Sequence, residues 1–142
     1  MGLYAAKNAV LLAARVGLGH AATRLLLHMA LECWDDAANP AGQPPRRYYA
    51  ARESSAIALG YLAPDNGSEP ALHAVKRAMA ELVEHGVVER VRSGGRGQTA
   101  EFILHVDSGK PGSVRRHDSN VIILARRDRQ GAAERPPQGA DF

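Results

Sequence analysis

The stretch from Ser68 to Val106 constrains this chain most, because it joins a capped amphipathic helix to a glycine-tipped hairpin with almost no linker. Ser68 is a good N-cap residue. Glu69 and Pro70 fall in the first turn, where the helix dipole favours an acid and proline's missing N–H costs nothing. Leu72, Val75, Met79, Leu82 and Val83 recur at helical spacing to about His85, and Gly86 stands where a left-handed residue ends a helix. Val87 to Arg92 and Thr99 to Val106 then alternate as strands. Ser93-Gly94-Gly95-Arg96-Gly97-Gln98 is the tip between them.

Upstream, Leu3–Val16 is alanine-rich and helix-permissive, and Gly17 and Gly19 end it. It is too mixed, and too poor in a cleavage signal, to read as a secretory signal peptide. Ala21 to Asp36 is a second helix with Leu25, Leu26, Met29, Ala30 and Cys33 at i, i+3/i+4 spacing, and Leu27, Leu31 and Trp34 widen the stripe. A breaker-rich loop, Asn39 to Pro45, leads to a short strand around Tyr48-Tyr49. Ser54 can cap a brief helix over Ser55–Leu59, and Asp65-Asn66-Gly67 is a turn. Beyond Asp107, Ser108–Gly112 reads as a linker, Val121–Leu124 as one apolar run and Gln130–Phe142 as a disordered tail.

A length of 142 residues fits one domain with tails. No apolar run approaches the roughly 20 residues a membrane span needs. The single cysteine excludes an internal disulfide framework and any Cys-pair zinc site, and fits a reducing cytoplasm. The net charge of +3 is spread as +1 over residues 1–67, 0 over 68–106 and +2 over 107–142, so charge alone does not announce a nucleic-acid partner. Fifteen of the eighteen basic residues are arginines, a bias that a GC-rich coding sequence also produces.

Helix, short strand, short helix, turn, long helix and hairpin form a sequence of elements that resembles a winged helix-turn-helix. The stretch Val75 to Val91, in which Leu82 and Gly86 precede the pair Val87-Val88 and a basic strand, is similar to the recognition helix and first wing strand of that family. Ala56 to Leu62 is similar to the helix before it. The likeness is to the winged-helix proteins of actinobacteria, their phages and their plasmids, and it covers residues 21–106. The connection Leu62–Ser68 is longer than the turn of a simple helix-turn-helix. The fold class expected is α+β, mainly α, with an extra N-terminal helix (1–20, a possible dimerisation element) and a basic, partly disordered C-terminal part (107–142).

The resemblance implies sequence-specific binding of double-stranded DNA, as a transcriptional regulator and homodimer, in the cytoplasm and associated with the nucleoid when bound. A replication-initiation or excision accessory protein of a plasmid or phage is the alternative, and a winged-helix protein-interaction adaptor the alternative of another class. No enzyme, cofactor, metal, membrane or small-molecule substrate is indicated.

The residues point to the same surface. With Leu72, Val75, Met79 and Leu82 inside, His73, Lys76 and Arg77 fall on other faces, Ser68 stands at the helix start, and small Ala74 and Ala78 leave room for close approach. Arg90, Arg92 and Arg96 lie in a run free of acids that ends at Gln98, and Arg96 sits among three glycines, a form that suits a minor groove or adjacent phosphates. Each pattern also has a plain structural meaning, a solvated helix face and a well-made turn.

Rival chemistries are weak. Gly94-Gly95-Arg96-Gly97 lacks the Lys-Ser/Thr ending of a phosphate loop and leads into a strand. His28, Glu32 and Cys33 are ligand types close together, with no second pair to complete a tetrahedral site. Ser113–His117 and Ala125–Arg129 are basic clusters suited equally to extra phosphate contact or to solvation.

Overall fold

A computed structural model describes residues 2–111 of the chain; the basic clusters, the run Val121–Leu124 and the tail lie outside the described residues. Residues 1–111 form one compact unit. Its class is α+β, with four α-helices and a small antiparallel sheet.

Helix α1 (Leu3–Val16) packs on α2 (His20–Glu32) through alanines. Ala5, Ala6, Ala9 and Ala13 are buried, and a Cβ on Gly2 would collide with the carbonyl oxygen of Ala30. Small residues on the contact face let two helix backbones approach closely. Gly17 ends α1 at φ 71°, a left-handed conformation that glycine adopts without penalty. Ala5, Ala6 and Ala9 belong to the same buried cluster as Leu25 and Met29.

In α2, Leu25, Leu26, Met29 and Ala30 are fully buried, and each large side chain contributes roughly 1.5–3 kcal/mol by leaving water. The helix stops at Glu32, short of the expected Asp36. Cys33 turns extended (ψ 157°), which brings its Sγ to donate to the Arg47 carbonyl and lets Asp35 reach back to α1.

Strand β1 (Arg47–Ala50) leads directly into α3 (Arg52–Ala58), which starts at Ala51 without a side-chain cap. The expected role of Ser54 as cap is corrected here: Ser54 and Ser55 lie inside the helix. Their hydroxyls meet His28 Nε2 at 3.4 Å and the Tyr48 hydroxyl at 3.3 Å. The long connection that follows contains a single 3-10 turn over Asp65–Gly67.

Helix α4 (Glu69–Glu84) is capped as its sequence predicts, with Ser68 Oγ accepting from the Ala71 N–H at 3.4 Å. Gly86 follows its end at φ 68°. Its buried stripe is Ala71, Val75, Ala78, Met79 and Leu82, while Leu72 is half-buried and Val83 exposed. Two expectations change. Ala78 belongs to the core instead of a solvent face, and Val83, one position past Leu82, is turned about 100° away from the stripe.

Strands β2 (Val88–Arg92) and β3 (Ala100–Leu104) form the hairpin, and β1 joins the other edge of β3, giving the order β1-β3-β2. Arg90 pairs with Phe102, but the next pair is Arg92 with Glu101, so Val91 is an inserted residue. A bulge of this kind ends simple alternation: only Val88 of β2 is buried.

Candidate nucleic-acid interface

The solvent face of α4 follows from its buried stripe. At 100° per residue, Glu69, His73, Lys76, Arg77, Ala80, Val83 and Glu84 share the opposite side, and all are exposed. His73, Lys76 and Arg77 lie between the first turn and the middle of this face, and Glu69 stands 3.5 Å from His73 Nε2. Ser68 spends its side chain on capping.

The bulge at Val91 divides the hairpin arginines between two faces. Arg90 shares the face of Phe102 and Tyr48, and its guanidinium carbon lies 5.6 Å from the Phe102 ring centre. Arg92 shares the other face with Tyr49 and Glu101. There the Glu101 carboxylate, 8% exposed, takes an ion pair from Arg47 and stands 3.9 Å from Arg92. The Arg47 hydrogen bond to Glu101 pushes that guanidinium still further up, so it stays charged. The run from Arg90 to Gln98 holds no acid, yet folding supplies one to Arg92 from across the sheet.

Gly95 and Gln98 exchange both backbone hydrogen bonds at 3.0 Å. The two residues between them, Arg96 (φ 46°) and Gly97 (φ 81°), both have positive φ, as a type I′ turn demands. Arginine is not a natural occupant of that first position, where asparagine, aspartate or glycine is favoured. Arg96 is exposed at the apex, and Gln98 closes the turn through its backbone.

Between the start of α3, the first half of α4 and the hairpin lies a cleft of about 430 Å³. Val75, Met79 and Phe102 give it an apolar floor. Arg52, His73, Lys76 and Arg90 bring basic groups to it.

Of the eight residues expected at the site, His73, Lys76 and Arg90 meet in this cleft. Arg77 lies on the same helix face, Arg96 and Gln98 are at the hairpin tip, Ser68 caps α4, and Arg92 is turned to the opposite sheet face. Arg52 was not legible as a site residue, because an arginine at the start of a short helix carries no motif. Glu101 had one signal, an acid three residues past the hairpin tip.

The chemistry-bearing residues of α2 do not converge. His28 Nε2 meets Ser54 and its ring stands edge-on to Tyr48 at 6.0 Å, while Cys33 points at the Arg47 carbonyl. Burial, with Asp35 and Glu32 nearby, pushes the Cys33 thiol up to about 12, which removes the thiolate that a nucleophile needs. Among the described residues no group of three His, Cys, Asp or Glu is placed to hold a metal ion, and no helix is long and apolar enough to cross a membrane.

Compared with protein-family models, curated proteins and solved structures, the chain matches none.

Proposed function

We propose that this protein is a winged helix-turn-helix that binds double-stranded DNA in a sequence-specific way, with α4 as recognition helix and the β2–β3 hairpin as wing. The observation that carries the reading is the exposed pair Lys76 and Arg77 at the middle of α4, with Lys76 and Arg90 lining one cleft and Arg96 at the apex of the adjacent hairpin. The element order from α2 to β3 and the sheet order β1-β3-β2 support it. An α-helix fits the roughly 12 Å major groove, and its N-terminal half presents side chains to base edges. Lys76 and Arg77 are the residues long enough to reach base edges or the flanking phosphates, and Arg96 approaches the neighbouring minor groove or its phosphates. Docking of this kind needs no covalent step and no cofactor.

A regulator of transcription, nucleoid-associated in the cytoplasm, is the role this reading favours. An accessory role in plasmid or phage replication or excision uses the same surface. Two copies on a site of two-fold symmetry supply the length of sequence that one recognition helix cannot read. The face of α1 that carries Leu3, Val10 and Leu11, each more than a third exposed, is the surface that supports a homodimer. A protein-interaction adaptor would use that apolar face alone. A gel-shift against genomic fragments with a salt titration separates the two: the DNA reading requires a retarded band that weakens steeply with salt, and the adaptor gives none.

A further inference from the structure

We infer that the cleft between α3, α4 and the hairpin seats one phosphate of the DNA backbone, held by Arg52, Lys76 and Arg90. The inference rests on the DNA reading above and adds to it a site and a residue, Arg52.

What distinguishes this cleft is that three cations without an ion pair among the described residues, on three different elements, line one concavity. Among the described residues the ion pairs involve Arg47, Arg92, His73 and His105; none takes up Arg52, Lys76 or Arg90. Two arginines on the far side of the same sheet share the carboxylate of Glu101, whereas the cations that reach the cleft from three different elements have no such partner. The acid in the cleft wall, Glu69, is directed at His73. Unpaired surface cations are common singly. Three that converge on one concavity repel one another, and an oxyanion between them relieves that repulsion.

Arg90 is also held in place before any ligand arrives. Its guanidinium lies over the Phe102 ring, an attraction that limits the side-chain freedom lost on binding. A guanidinium fork matches two oxygens of a phosphate, and two such forks with an ammonium suit the two non-bridging oxygens of a phosphodiester.

Phosphate chemistry alone does not choose between DNA and a free ion. Duplex geometry does. Adjacent major and minor grooves are separated by one sugar–phosphate strand, so a duplex that takes α4 in one groove and Arg96 in the next must carry that strand across the space between helix and hairpin. That space is the cleft.

The test is a salt series of fluorescence anisotropy on two unrelated duplexes, with the full chain as wild type, Arg52→Ala, Arg52→Lys and, as a charge control at an exposed position of α2, Arg24→Ala. Removal of Arg52 should weaken both duplexes by the same factor and lower the slope of log affinity against log salt by about one. Arg52→Lys should keep the slope, and Arg24→Ala should match wild type. Thermal unfolding of each variant checks the fold, and Arg52→Gln replaces Arg52→Ala if that variant unfolds early. A wild-type slope in Arg52→Ala, with wild type still binding, overturns the cleft and leaves the DNA reading standing. Failure of wild type to bind either duplex removes both. Saturable binding of inorganic phosphate, seen as shifts of the Arg52 and Arg90 side-chain N–H signals and without effect on duplex affinity, reassigns the cleft to a free ion and also overturns the proposal.

Discussion

Lys76 and Arg77 are adjacent and exposed, and no ion pair among the described residues involves them, so their removal separates function from folding. Either Lys76→Ala or Arg77→Ala should cost about 1–3 kcal/mol of affinity at a preferred duplex while thermal unfolding is unchanged. Equilibrium binding with a matched unfolding curve checks this. Arg96 tests the opposite trade. Its positive φ is a strained choice for arginine, and asparagine before Gly97 is the preferred pair for this turn. Arg96→Asn should therefore leave the melting temperature equal or higher while duplexes of any sequence bind more weakly, with a salt slope smaller by about one. A hairpin that melts earlier in this variant would deny the strain. At this scale the sequence was half legible. Helical period placed Lys76 and Arg77 outside because Val75, Met79 and Leu82 fix the buried side. No local signal marks the insertion at Val91, and that single residue decides that Arg90 faces Phe102 while Arg92 faces Glu101.

Two of the helices are capped by residues far away in sequence. The N–H groups of Tyr4 and Ala5 donate to the Asp35 carboxylate at 3.1 and 2.9 Å, which satisfies the start of α1 after Gly2. Gly19, the N-cap of α2, donates its own N–H to Glu81 Oε1 at 2.7 Å and so ties the start of α2 to α4. Acceptors with negative charge at these ends also suit the helix dipole. Glu81→Ala should lower stability by about 0.5–2 kcal/mol, the range for loss of a cap, and hydrogen exchange should quicken first in α2. Urea unfolding followed by exchange at individual amides measures both. Unchanged stability would mean the contact is solvated at no net gain. The sequence shows Ser68 as a cap because the residue and its helix are neighbours. Gly2 and Gly19 reveal nothing of Asp35 and Glu81, since those pairings exist only after the chain has folded. The same holds for Ser54, whose hydroxyl is a cap by sequence and a partner of His28 in the fold.

At the scale of the described unit, the larger of its two buried clusters holds two alkaline-sensitive groups, Cys33 and Tyr48. Burial raises Cys33 from 9.0 to about 12 and also raises Tyr48, so both stay neutral in the fold at pH values where the unfolded chain ionises. The unfolded state then holds fewer protons, and stability falls as pH rises above about 9, with no contribution from either group below that. Unfolding curves from pH 7 to 11 should show this decline, and Cys33→Ala should make it shallower. The helix α1 adds the apolar face proposed for a second copy. Sedimentation of wild type at micromolar concentration should give a dimer that Val10→Glu reduces to a monomer; a monomeric wild type, free and on DNA, removes the interface. What unites residue, element and molecule is the proposal that α4 and the hairpin present Lys76, Arg77, Arg90 and Arg96 to duplex DNA. Its most direct measurement is the salt slope of wild type on a duplex selected from genomic fragments, beside the double variant Lys76→Ala, Arg77→Ala. Arg52, Lys76, Arg77, Arg90 and Arg96 together predict a wild-type slope of roughly −4.5 per subunit, and the double variant should be shallower by about two and lose its preference for the selected sequence. A wild type that selects no duplex, or a double variant with the affinity, slope and preference of wild type, would contradict the account.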